Sequence, residues 1–273
     1  MDTIFIAIVS VTVIGIVCAA ILSMASKVMH VEVDERVAQI RDVLPGVNCG
    51  ACGYPGCSGF AAALVADAGI KVSLCTPAGP EVVEKVSAIL GVDAVAAQPK
   101  VAIVQCLGDC AVQKKKFDYK GVQTCQGSKM LFGGEGACAF GCVGYGDCAL
   151  ACPSDAICME SGLARISTPL CTGCGLCVKA CPSNLISMVS ADICVCVACQ
   201  NTEKGAVVRK KCSAGCIACR KCVKECPEQA IVMENNLAVI DQEKCSCCGH
   251  CAEICMTKCI QLTGVKQNVL VEV

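Results

Sequence analysis

Four stretches of this chain repeat one spacing of cysteines, and that spacing leaves few folds open. They read Cys138-x3-Cys142-x5-Cys148-x3-Cys152-Pro153, Cys171-x2-Cys174-x2-Cys177-x3-Cys181-Pro182, Cys216-x2-Cys219-x2-Cys222-x3-Cys226-Pro227 and Cys245-x2-Cys248-x2-Cys251-x3-Cys255-Met256. In loops of this kind three thiolates grip one iron–sulfur cube. The fourth, ahead of the proline, reaches a neighbouring cube. The chain is expected to carry single electrons.

Two other uses of cysteine fit less well. Thirty-one cysteines in 273 residues, about 11%, call for a covalent or metal explanation. A disulfide scaffold suits short secreted chains, whereas this chain is long and its cysteines keep metal-loop spacing. Zinc takes Cys-x2-Cys pairs but needs neither a third cysteine at x2 nor a fourth before proline. Aromatic residues make up only 3% and tryptophan is absent, so clusters are expected to replace part of an ordinary core. A net charge of −1 gives no basic field for nucleic acid. His30 and His250 stand alone in the sequence and read as surface or packing residues.

Thr3 to Ala25 is apolar and uncharged, long enough to cross a bilayer as a helix. Residues 1–26 are read as a transmembrane anchor rather than a signal peptide, because Asp2 stands where a signal would carry a cation. Lys27, Arg36 and Arg41 follow the span, which places the bulk of the chain on the cytoplasmic side. Cys18 lies within it and reads as a lipid-facing or helix-packing residue. Bulky Val17 argues against acylation there.

Behind the anchor the chain reads as α+β. Residues 30–91 form a small helical 4Fe–4S domain. A helix over 28–44 turns Val33, Val37, Ile40 and Leu44 to one face. Cys49, Cys52 and Cys57 follow in a glycine-rich loop, then an alanine-rich helix over 59–68, then Cys75. A last helix runs from Pro80 to Leu90 with Gly91 behind it. Residues 93–99 read as a linker. From Val101 the chain looks duplicated: Val101–Cys106 resembles Ile193–Cys199, and each half then runs into two cysteine loops. Two ferredoxin-like two-cluster units are expected, at 100–192 and 193–266. Each contains a β-hairpin, turning at Ser161-Gly162 or Asn235-Asn236.

The exchange of fourth cysteines predicts the ligand sets. Cys49, Cys52, Cys57 and Cys75 hold one cube. Cys138, Cys142, Cys148 and Cys181 hold the second, in a loop widened around Gly144 and Gly146. Cys171, Cys174, Cys177 and Cys152 hold the third. Cys216, Cys219, Cys222 and Cys255 hold the fourth, and Cys245, Cys248, Cys251 and Cys226 the fifth. At least five 4Fe–4S clusters are thus expected. Cys106, Cys110, Cys125, Cys199 and Cys212 offer ligands for one or two more, or are free thiols packed in a core. Cys247 lies between two ligands and reads as free.

Gly144-x-Gly146-x-x-Ala149 matches a dinucleotide fingerprint, but no apolar strand precedes it and it sits inside a cluster loop. No Walker or flavin motif is present, so hydride chemistry is left to another polypeptide. Lys114–Lys116 and Arg209–Lys211 read as solvated loops or as a dock for an acidic electron carrier.

An N-terminal span, then Asn48-Cys49-Gly-Ala-Cys52-Gly-Tyr-Pro-Gly-Cys57, then ferredoxin loops resembles the B subunit of the Rnf complex, in its long, anaerobe-type form. The resemblance covers essentially the whole chain and is carried by residues 48–57 with Cys75. It implies a membrane complex that oxidises reduced ferredoxin, reduces NAD and translocates sodium or protons. In that family this polypeptide would be the entry point for ferredoxin electrons, relaying them to the Cys49–Cys75 site and on to membrane and flavin- or NAD-binding subunits. The span holds no acidic residue or lysine at its centre and so carries no visible ion path. A freestanding, membrane-tethered polyferredoxin that buffers electrons is the competing expectation.

Overall fold

A computed structural model describes residues 2–28, 34–67, 69–93 and 99–263. The expectations for Val33, His30, the middle of the 93–99 linker and the last residues of the second unit fall outside these ranges. Helix α1 (Asp2–Val28) contains Ile4–Ala25, with a mean hydropathy of 2.9 and no part of it buried against the protein. By length and composition it is able to cross a membrane.

Three helices make the next body. Helix α2 (Glu35–Val43) starts where the Asp34 carboxylate accepts from the Arg36 backbone N–H at 2.9 Å. This capping satisfies an N–H that the first turn leaves open. Helix α3 (Gly56–Ala66) opens behind Pro55, slightly earlier than the sequence suggests. Helix α4 (Pro80–Leu90) has proline in its first turn and stops at Gly91, φ 67°. Ile40, Phe60, Leu64, Val83 and Val86 are buried where the three helices meet. Cys75 joins this core behind a single 3-10 turn, Val72–Leu74.

The rest consists of two copies of one design. Strand β1 (Lys100–Val104) leads through helices α5 (Cys125–Met130) and α6 (Asp147–Leu150) to the hairpin β2 (Ile157–Glu160) and β3 (Leu163–Ile166). Helix α7 (Leu176–Ala180) and strand β4 (Ile186–Ser190) complete the first copy. The second runs β5 (Val195–Val197), α8 (Gly205–Lys211), α9 (Lys221–Lys224), β6 (Ile231–Glu234), β7 (Leu237–Ile240), α10 (His250–Glu253) and β8 (Ile260–Leu262). First and last strands pair antiparallel in both copies, Ala102 opposite Met188 and Cys196 opposite Gln261. Both hairpin turns place two residues in the left-handed region, Ser161-Gly162 at φ 48° and 75°, Asn235-Asn236 at φ 47° and 63°. Two-residue turns of that hand match the twist of the flanking strands.

The copies touch each other directly. Gln113 forms a bridge with Cys212, and the Lys114 N–H donates to the Lys211 carbonyl at 3.4 Å. Ile103 of β1 packs with Ile193 and Cys196. A disulfide joins Cys194 to Cys247, whose Cα atoms lie 5.5 Å apart. Cys247 is therefore not the free thiol expected: the β5–β8 pairing carries Cys194 to the loop that holds it.

Candidate iron–sulfur sites

Each cysteine loop is shaped by left-handed backbone at the same places. Two residues before the third cysteine stand Gly146, Gly175, Arg220 and Gly249, at φ 83°, 73°, 59° and 76°. Four before it stand Gly144, Gly173, Ala218 and Cys247, at φ 93°, 70°, 54° and 61°. Three after the fourth cysteine stand Asp155, Asn184, Gln229 and Lys258, all near φ 50°. Alternating hands of this kind curl a chain into a concave run of N–H groups. The Ala156 N–H donates to Cys152 Sγ at 3.4 Å, Leu185 N–H to Cys181 Sγ at 3.5 Å, and Ala102 N–H to Cys171 Sγ at 3.5 Å.

Three of the ferredoxin-type sets come together as the spacing requires. Cys152, Cys171, Cys174 and Cys177 line one cavity, Cys216, Cys219, Cys222 and Cys255 a second, and Cys226, Cys245, Cys248 and Cys251 a third. In the helical body Cys52 and Cys57 pack against the core that contains Cys75, and the Cys49, Cys52 and Cys57 sulfurs help raise its thiol.

The remaining loop is organised differently from the expectation. Cys142, Cys148 and Cys181 share their cavity with Cys125, and Cys138 is not among its walls. Counting back from Cys148 explains why. Cys142 occupies the place of the first cysteine in the other loops, and Tyr145 the place of the second. The loop is not widened: Gly144 and Gly146 repeat the backbone of Gly173 and Gly175. Its missing thiol comes from α5. The Asp147 carboxylate, at the start of α6, accepts from the Cys125 and Gln126 N–H groups at 2.9 and 3.1 Å and fixes that helix end over the loop. Thr124 caps the same end through Gly127, 3.0 Å. Tyr145 instead packs edge-on against Tyr119, ring centres 6.1 Å apart.

Cys138 lies elsewhere. It lines a fifth cavity with Cys106, Cys199 and Cys212, between the two copies. The five cavities are alike in volume, from 310 to 380 Å³. Cys110 is exposed and outside all of them. Cys158 is exposed on β2, and Cys196 is buried beside Ile103.

Burial pushes at least one thiol of every set upward, Cys75, Cys177 and Cys222 to about 11 and Cys148 and Cys106 to about 12, and Cys142, Cys199, Cys212 and Cys251 in the same direction, with the neighbouring sulfurs adding to the rise. Such thiols stay protonated near neutrality until a metal displaces the proton. Cys255 and Cys216 are the exceptions. The Cys259 thiol, 3.6 Å from Cys255, hydrogen-bonds to both and holds Cys255 down at about 4 and Cys216 at about 6.

Among the described residues no three His, Cys, Asp or Glu side chains converge closely enough to bind a single metal ion. Four thiols spread around one cavity, with N–H groups aimed at the sulfurs, match the wider footprint of a cluster. Fold and sites together define an iron–sulfur protein with ferredoxin-type domains. Comparison with known proteins agrees. Residues 44–77 match a family described as a putative Fe-S cluster, and residues 164–187 a 4Fe-4S binding domain. The chain is 44% identical over 260 residues to the B subunit of the proton-translocating ferredoxin:NAD(+) oxidoreductase complex of Clostridium ljungdahlii, covering 95% of this chain and 91% of that one. It is 39% identical to the Na(+)-translocating counterpart of Acetobacterium woodii, covering 91% and 74% of the two chains. It is 37% identical to the B subunit of the ion-translocating oxidoreductase complex of Methanosarcina acetivorans, covering 91% and 94%. The chain belongs to this family, the B subunits of the Rnf complex.

Proposed function

We propose that the chain is the iron–sulfur electron-transfer subunit of an ion-translocating ferredoxin:NAD oxidoreductase complex, accepting electrons from reduced ferredoxin and relaying them towards membrane and flavin- or NAD-binding subunits. The observation that carries this reading is the recurrence of four-thiol sites along one apolar-anchored chain. Five sets hold 4Fe–4S clusters: Cys49, Cys52, Cys57 and Cys75; Cys125, Cys142, Cys148 and Cys181; Cys152, Cys171, Cys174 and Cys177; Cys216, Cys219, Cys222 and Cys255; Cys226, Cys245, Cys248 and Cys251. A bound cluster takes up and gives back one electron at a time. The chain's own part is to fix the sulfurs, exclude water with apolar walls such as Ile157, Ile186, Ile231 and Ile260, and aim N–H groups that favour the charged state.

Lys27, Arg36 and Arg41 behind the span support a cytoplasmic location for these domains. The Cys49–Cys75 body follows the span most closely in sequence and serves as the exit towards membrane partners. The two basic runs support a ferredoxin dock. They meet across the Gln113–Cys212 bridge. Lys115 is paired with Glu135 at 3.4 Å and Lys211 with Glu203 at 2.5 Å, while Lys114, Arg209 and Lys210 are exposed.

Mild-detergent extraction under anaerobic conditions tests the assignment. Co-purification with polytopic subunits and a flavin- or NAD-binding polypeptide, plus a dithionite-reducible paramagnetic signal of several spins per chain, is the expected result. A lone, stable protein would favour the tethered electron buffer.

A further inference from the structure

Cys106, Cys138, Cys199 and Cys212 lie apart from the five sets above, yet their surroundings are as fully built. Cys106 ends the stretch after β1 and Cys199 the stretch after β5, equivalent places in the two copies. Each sulfur accepts from the N–H two residues on, Gly108 to Cys106 at 3.4 Å and Asn201 to Cys199 at 3.5 Å. Each also faces the N–H of the first cysteine of a loop. Cys216 N–H donates to Cys199 Sγ at 3.4 Å, and the Cys142 N–H turns to Cys106 Sγ. The Ala214 and Gly215 N–H groups turn to Cys212 Sγ. Asn201 is 1% exposed, and its side-chain Nδ2 donates to Cys138 Sγ and to Glu203 Oε2, each at 3.2 Å, while its Oδ1 accepts from the Glu203 N–H at 2.8 Å. A buried amide clamped so that its donor meets a sulfur has no use in an apolar core. It suits a sulfur that carries charge.

We propose that Cys106, Cys138, Cys199 and Cys212 bind a sixth 4Fe–4S cluster that links the two ferredoxin-like units. This rests on the function proposed above. The site takes two ligands from the first copy's long β1–α6 segment and two from the second, so neither copy completes it alone. Cys106 shares a backbone contact with Cys142 and Cys199 one with Cys216, each a ligand of a flanking set. That arrangement sets the site beside a ligand of each flanking set. A single electron entering from one reduced neighbour leaves to the other, with no net chemistry at the site. The freeing of Cys138 by Cys125 is what supplies its fourth thiol.

The test is iron, zinc and acid-labile sulfide analysis of the anaerobic, detergent-solubilised full chain, with electron paramagnetic resonance. The expected content is about 24 irons, four per cube. Cys199→Ala with Cys212→Ala is expected to lose about four of them and one spin, leaving the other signals intact. Asn201→Leu is expected to keep all the iron and lower the midpoint potential of one cluster only, because a donor to sulfur is gone. About twenty irons in the unaltered chain, zinc at one equivalent, or a potential set untouched by Asn201→Leu would each overturn the sixth site while leaving the other five standing. A chain without iron would overturn both readings. If the double variant fails to fold, the iron count of the unaltered chain and the Asn201→Leu titration still decide.

Discussion

The first loops of the two copies have one backbone and two different ways of finding their sulfurs. In the second copy Cys216, Cys219 and Cys222 all come from the loop. In the first, Cys142 and Cys148 come from the loop, Tyr145 stands where Cys219 does, and Cys125 arrives from a helix ahead of it. The left-handed positions, by contrast, are kept almost unchanged, Gly144 and Gly146 against Ala218 and Arg220. The comparison teaches that the backbone cradle defines the site. A thiol is exchangeable provided another element delivers it to the same place.

The strongest way to break the comparison is to remove the imported thiol. Cys125→Ala is expected to cost the first unit one whole cluster, about four irons, and Cys219→Ala is expected to cost the second unit the same. Adding Tyr145→Cys to Cys125→Ala is expected to restore the iron, and failure of that rescue would sink the equivalence of the two loops. Nearly as large is Cys49→Ser. It is expected to abolish electron transfer from ferredoxin to the membrane subunits while the ferredoxin-type sites remain reducible, read by turnover and paramagnetic resonance on the same sample. Normal turnover would place the helical body off the route.

Backbone substitutions sharpen the comparison with smaller effects. A Cβ on Gly144 would stand 2.6 Å from the Gly162 carbonyl oxygen at φ 93°. Gly144→Ala is expected to cost about 1–3 kcal/mol, seen as bleaching of cluster absorbance at lower temperature. Ala218→Gly, at the matching place, removes strain and is expected to be neutral or to stabilise by up to about 1 kcal/mol. The smallest effect concerns the surface between the copies. Reversing the charges of Lys114, Lys115 and Lys116 is expected to slow reduction by ferredoxin roughly tenfold at low ionic strength and hardly at all at high. An unchanged low-salt rate would move the dock elsewhere.

What the sequence disclosed follows from how local each signal is. The loops with Cys171, Cys216 and Cys245 carry most of the cysteines that line their cavities within a few residues, and the hairpins turn on adjacent left-handed residues, so spacing alone reveals them. Helix α4 announces itself by Pro80 and Gly91. The role of Cys125 is not local: it depends on Asp147 gripping a helix end 22 residues earlier in the chain. Aligning all four loops on their third and fourth cysteines would have exposed the gap at Tyr145. It would also have shown that Cys138 lies outside the repeat. The duplication already suggests Cys106, Cys199 and Cys212 as companions, but choosing Cys138 over Cys110 and Cys125 as the fourth needs the two copies docked together, which no spacing encodes. Cys194 and Cys247 are 53 residues apart and meet only because β5 pairs with β8.

That last bond alters any stoichiometric bookkeeping of charge. Opening Cys194–Cys247 to two thiols consumes a pair of electrons and two protons, whereas every cube accepts singly. A coulometric reduction of this chain should thus reach its endpoint two equivalents beyond the sum of its paramagnetic centres.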